Sequence, residues 1–205
     1  MTQVLKPLPV RLVTCQDGDV DFDFIADRLA LDFVATVSER GTSDLERLST
    51  PADLADWIEQ ADLLDRRLPV THAHLKEAKK LREAIYAIIT AWTQQALPTD
   101  RHRRIVNAAA SISPPIAALT RDGHVVRDGS FRSVLALLAS DAIDLADSPD
   151  LALVRWCADP FCTRPFVDRS RGHSRRWCGM RGCGDRAKAA AYRRRQRERT
   201  PTSSR

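Results

Sequence analysis

Apolar positions along this 205-residue chain recur mostly every three to four residues, and every second residue only in short stretches. That pattern predicts amphipathic helices with a few minor strands. Val20-Asp-Phe-Asp-Phe-Ile25 alternates and predicts a short strand. Leu29, Phe33, Val34 and Val37 share one helical face, which places a helix over 29–37 before Arg40-Gly-Thr-Ser breaks it. Thr50-Pro51 opens the next helix with a capping hydroxyl and a proline in the first turn. Asp53 adds a carboxylate there, and Leu54, Trp57, Ile58, Ala61 and Leu64 follow before Pro69. The strongest stripe runs from Thr71 to Ala96 through Leu75, Ala78, Leu81, Ile85, Ile88, Ile89 and Trp92.

A further helix is expected from Asp100 to Ser111, ended by Pro114-Pro115. Ile116 to Thr120, a turn at Arg121-Asp-Gly-His124, and Val125-Val126 predict a β-hairpin. Ser130 is placed to cap a last long helix to Ala146, with Val134, Leu135, Leu138, Ile143 and Leu145 apolar. Ser148-Pro149-Asp150 reads as a linker, and Leu151 to Trp156 as an extended run. Residues 20–148 therefore form a body that is mainly α with a small β-hairpin. Residues 1–19 carry two prolines and no period, and read as a loose lead-in.

At 43% hydrophobic and 29% charged, the chain has enough apolar side chains for a core. No apolar run approaches the roughly 18 residues of a membrane span, so no membrane partner is expected. The N-terminus lacks a basic segment followed by an apolar one, which argues against a signal peptide. The expected compartment is the cytoplasm, where paired cysteines hold metal more often than they form disulfides. Cys15 stands apart and reads as a small apolar filler or free thiol. The charge is unevenly spread. Residues 155–205 hold 15 Lys+Arg against 4 Asp+Glu, a net of +11, while the other 154 residues hold 17 against 23, a net of −6. A basic tail on an acidic body points to a polyanionic partner for the tail alone.

The chemistry concentrates in that tail. Cys157-Ala-Asp-Pro-Phe-Cys162 and Cys178-Gly-Met-Arg-Gly-Cys183 are two matched knuckles, separated by fifteen residues. Two such knuckles present four thiolates to one tetrahedral Zn2+. Four sulfurs saturate the ion, so the site is structural rather than catalytic, and metal binding supplies folding energy to a module too small for its own core. Two alternatives stay open: reduced cysteines without metal, and His173 replacing one cysteine. Pro165-Phe166-Val167 and Arg175-Arg-Trp177 are expected as a strand and its returning partner around a turn at 169–173, with Phe166 and Trp177 as apolar floor. After Cys183 the chain is strongly helix-forming. Knuckle, hairpin, and a second knuckle opening a helix make a treble-clef-like four-cysteine zinc finger.

Arginines surround this module. Arg169, Arg171, Arg175 and Arg176 lie within it, and Arg186, Lys188, Arg193, Arg194, Arg195 and Arg197 lie on its helix. Arg186, Ala190, Arg193 and Arg197 share one helical face, and Lys188, Tyr192 and Arg195 another. Arginine forks fit phosphate and guanine, and these ten residues are the candidate DNA contacts. Binding to phosphate without sequence reading, or no partner at all, are the competing readings. Asp32, Thr36, Arg82 and Glu83 are polar residues beside apolar helices, where internal pairing or a small-ligand pocket would explain them. No phosphate-cradling glycine loop, nucleophile elbow or HExxH occurs, and an enzyme is not expected.

The stretch from Cys157 through Phe166-Val-Asp-Arg-Ser170 and Arg175-Arg-Trp-Cys178 to Cys183-Gly-Asp-Arg-Ala-Lys188 resembles the CGNR zinc finger, over about residues 151–197. Asp185 stands where the family's asparagine would be. The body is similar to the ABATE domain of stress-induced bacterial transcription regulators. The similarity rests on Arg28-Leu-Ala-Leu-Asp-Phe33 with Thr36, on Leu48-x-Thr50-Pro-Ala-Asp-Leu54-x-x-Trp57, and on Ala78-x-x-Leu-Arg-Glu-Ala84. These resemblances imply a two-part regulator whose zinc-folded finger binds DNA. Together with the cysteine quartet and the basic tail, they lead to the expectation of double-stranded DNA as the finger's partner and of a body that forms a homodimer or senses an unknown small effector. The competing expectation is a finger that docks protein or RNA beside a ligand-sensing body.

Overall fold

Four helices start where a hydroxyl takes the backbone N–H three residues on. The computed structural model describes residues 21–199, so the lead-in, Cys15 and Val20 lie outside the described residues. Thr50 accepts from Asp53 N at 3.2 Å and opens α2 (Pro51–Gln60). Thr71 accepts from His74 N at 3.2 Å and opens α3 (His72–Thr93). Thr99 does the same for α4 (Asp100–Ala110), and Ser130 for α5 (Phe131–Ala146). Each cap satisfies an N–H that the helix itself leaves unpaired. At α2, α3 and α5 the residue three places on returns the bond, closing a capping box.

α1 (Leu29–Val34) is short and is buried almost all round, from Ala30 to Val34. It stops earlier than its apolar face predicts. The Thr36 hydroxyl donates to Phe33 O at 2.7 Å, and Val37 turns into β1 (Val37–Ser38), paired with β2 (Leu45–Glu46). α1 packs on α3 and α5, and α4 closes over α3 and α5. Leu31, Phe33, Ile85, Ile89, Val134, Leu138 and Leu145 fill the centre. Trp57 of α2 meets the rings of Phe24 and Phe33 at 5.8 and 5.1 Å between centroids. The hairpin forms as expected from β3 (Ile116–Leu119) and β4 (Val125–Asp128), and it stands clear of the core.

The alternating segment from Asp21 to Ile25 is not a strand. Its Phe22 is buried and Phe24 packs against the core, as the alternation demands. Its backbone, however, bonds to side chains. Phe22 N donates to Gln60 at 3.0 Å, and Ile25 N and Ala26 N both donate to Asp32 Oδ1 at 2.9 Å. Without a neighbouring strand, alternation yields an extended strap.

After α5 a 3₁₀ turn (Pro149–Leu153) leads into β5 (Val154–Trp156), paired antiparallel with β6 (Pro165–Val167). The expected returning strand at 175–177 does not form. β6 takes β5 as partner, so the strand pair straddles the first knuckle rather than filling the gap between knuckles. Residues 175–177 instead lie across that knuckle, with Ala158 N donating to Arg176 O at 2.8 Å. The last helix, α6 (Asp185–Arg199), starts directly behind Cys183. Val154, Phe166, Val167 and the four cysteines are continuous with the core of the body. Among the described residues no helix is long and apolar enough to cross a membrane.

Candidate metal centre and nucleic-acid interface

Cys157, Cys162, Cys178 and Cys183 converge, all buried, with their sulfurs within 4.8 Å of one another. Cys178 Sγ lies 3.7 Å from both Cys162 Sγ and Cys183 Sγ. A tetrahedron of sulfurs at the usual zinc–sulfur distance has edges of about 3.8 Å, so the cage has the size zinc requires. His173 is outside it: the ring Nδ1 lies 2.9 Å from Asp168 O.

The charge state of the thiols fits a cation as well. Hydrogen bonding from Cys157, then Cys178, pulls the Cys162 thiol far down. Hydrogen bonding with Cys157 and Cys162, reinforced by burial, pushes Cys178 far up. Burial, with the charge of Cys162 and Cys157, pushes Cys183 up to about 12. Four thiols this close cannot all ionise by themselves; a dication at their centre reverses that balance and releases protons. The geometry of the second knuckle has specific requirements. Gly182 sits at φ +80°, where a side chain would be strained, and a Cβ on Gly179 would lie 2.7 Å from Ile25 Cδ1.

Two arginines stand behind the sulfurs. Arg186 donates from Nη2 to Cys183 Sγ at 3.1 Å, and its fork also grips Asp159 at 2.9 Å from Nε and 2.8 Å from Nη2. Burial works against the Arg164 guanidinium, but its bond to Asp23 at 2.8 Å and the neighbouring Cys178 and Cys162 hold its pKa well above the ordinary value. Zinc with four thiolates carries two negative charges, and these two cations, each also paired with a carboxylate, offset part of them. Asp159 and Arg164, each two residues past a cysteine, were not singled out from the sequence; only their place beside the knuckles could have marked them.

The remaining candidates divide by what their side chains touch. Arg175 is only 23% exposed. It donates to Ile25 O at 2.7 Å, to Trp177 O at 3.0 Å and to Cys178 O, pairs with Asp27 at 3.1 Å, and lies 4.3 Å over the Phe166 ring. Arg169 pairs with Asp150 of the 3₁₀ turn at 2.6 Å. Asp168 is fully buried. Hydrogen bonds from Ser170 hold its carboxyl below the usual range, and Arg175 N donates to it at 3.0 Å, so it shapes the 168–175 turn. Arg171, Arg176, Lys188, Arg193, Arg194, Arg195 and Arg197 are exposed. Asp185 opens α6, where a carboxylate suits the positive end of the helix, and lies 3.7 Å from Lys188.

In the body, Arg82 is buried and fully paired. It donates to Thr36 Oγ1 at 3.0 Å, to both Glu46 oxygens at 2.8 and 2.7 Å, and to Glu83 at 2.9 Å. Asp32 binds the strap at Ile25 and Ala26. Thr36, Glu83 and these two residues are thus engaged by internal pairing, as the first of the two expected explanations holds.

The ABATE model, described as "Putative stress-induced transcription regulator", matches residues 27–149. The CGNR zinc finger model matches residues 154–196. With this donor set the cage is the site of one structural zinc ion. No curated protein matches the chain.

Proposed function

The chain belongs to the ABATE family and carries a CGNR zinc finger, and from that premise we propose that it is a regulator that binds double-stranded DNA through the finger. The observation that carries this reading is α6. Its described side chains from Asp185 to Arg197 are exposed or half-buried, and Lys188, Arg193, Arg195 and Arg197 face water. The helix is anchored at one end by the second knuckle. A basic helix held out on a metal-fixed base is suited to a groove or phosphate backbone. Arg176 extends the same basic surface, since it and Arg193 line one groove, and Arg171 is a further exposed charge of the finger. Arg169, Arg175 and Arg186 contribute less, because ion pairs and the fold engage them. Residues 151–197 act as the reader and residues 20–148 as the dimerising or signal-sensing body. The work is non-enzymatic, since four sulfurs leave zinc no open position, and cytoplasmic, since the thiols must stay reduced.

The test is selection of bound duplexes from a random DNA pool with zinc-loaded protein, at an ionic strength of about 0.15 M. Enrichment of a defined motif supports a sequence-specific regulator, and two-fold symmetry in it supports a dimer. Absence of binding, with zinc present at one ion per chain, refutes the reading.

A further inference from the structure

A groove of about 360 Å³ runs between the tip of the first knuckle and α6. Phe161, Trp177 and Ala190 are among its apolar lining, and Arg176, Arg193 and the paired Asp159 and Arg186 line it as well. Phe161 is 63% exposed, an unusual place for a phenylalanine beside a packed metal site. The knuckle holds it there. Asp159 accepts from Phe161 N at 3.1 Å, and the same carboxylate is fixed by Arg186. Arg176 lies 5.3 Å over the Trp177 ring, so one wall already pairs a cation with an aromatic face. Alanines at 187 and 190 keep the helix side of the groove open.

We propose that this groove receives one unstacked nucleobase of the bound DNA, stacked on Phe161 and Trp177, with its flanking phosphates on Arg176 and Arg193. The inference rests on the DNA-binding reading and goes beyond it. A groove offering only phosphate contacts would need no exposed ring, and one for an uncharged apolar ligand would not be rimmed by arginines. A flat π-surface joined to two anions satisfies both, and base–aromatic stacking of this kind is indifferent to sequence. Bases inside a perfect duplex are stacked on each other. The finger should therefore prefer DNA with a base already released, as in a bulge or distorted site, where unstacking costs least.

The experiment measures the affinity of the zinc-loaded full chain for three duplexes. One is perfect, one carries a single-nucleotide bulge, and one carries the same bulge as an abasic sugar. The abasic probe keeps the backbone distortion and removes the ring. The expected result is binding of the intact bulge about tenfold tighter than either other duplex. Phe161→Ala and Ala190→Leu, both at exposed positions, should each reduce that preference to about twofold or less, with zinc content unchanged. Equal affinity for all three duplexes overturns the groove proposal and leaves DNA binding standing. A preference that survives both substitutions also overturns it. Binding to none of the three overturns the DNA-binding reading itself.

Discussion

Arg175→Ala, set beside Arg176→Ala, tests whether Arg175 serves the fold rather than the proposed DNA contact. The guanidinium donates to Ile25 O and Trp177 O at 2.7 and 3.0 Å and also to Cys178 O, and truncation leaves these part-buried carbonyls unpaired. The two bonds of ordinary length contribute about 1.5 kcal/mol each, taking the low end for charged donors. The Phe166 stack adds about 1 kcal/mol. The pair with Asp27, whose side chain is 43% exposed, adds well under 1 kcal/mol after solvent screening. The expected loss is therefore about 4 kcal/mol, a large share of the 5–15 kcal/mol typical of a domain. Urea unfolding of the zinc-loaded protein, followed by tryptophan fluorescence, measures it. Arg176→Ala is the control. Its side chain is exposed, so it should unfold within about 0.5 kcal/mol of the parent while binding DNA more weakly. If Arg175→Ala matches the parent in stability and loses DNA affinity as Arg176→Ala does, the assignment of Arg175 to the fold is wrong.

Cys178→Ser removes one of the four converging thiolates and should abolish zinc binding, read by metal analysis, and DNA binding with it, because ion binding supplies folding energy to small metal modules; wild-type DNA affinity in zinc-free protein would contradict this. Arg186→Ala removes a cation 3.1 Å from Cys183 Sγ and should weaken zinc binding about 10–100-fold in chelator competition; unchanged affinity would deny it any role behind the ligands. Asp32 has its pKa raised from 3.8 to about 6, mainly by burial, against the bonds from Ala26 and Ile25. The folded state thus holds more protons than the unfolded one within that window, so stability falls as pH rises through it, by about 3 kcal/mol. Asp32→Asn should lack this component, and the difference between the two proteins should change by about 2 kcal/mol between pH 4 and 7; parallel stability curves would refute it.

The elements whose limits are local were legible in the chain. Thr50 and Ser130 mark helix starts because a capping hydroxyl acts within three residues, and the stripe from Leu75 to Ile89 records the buried face of α3 directly. The four cysteines were legible for a similar reason: few side chains bind a soft cation, and two knuckles of matched length predict one cage. What pairs with what was not legible. Asp21 to Ile25 alternates like a strand, yet its N–H groups go to Gln60 and Asp32, because only the packed chain sets which partner lies alongside. Pro165 to Val167 is a strand as expected, but β5 takes the edge assigned to 175–177. The arginines show the same division most clearly. Sequence alone counts ten equal positive charges around the finger. Tertiary structure turns Arg175 inward onto three carbonyls, sets Arg186 behind a sulfur, ties Arg169 to Asp150, and leaves Arg171, Arg176 and the far face of α6 in water. Charge belongs to the residue and is fixed by composition, whereas its availability depends on which acceptors folding brings within about 3 Å.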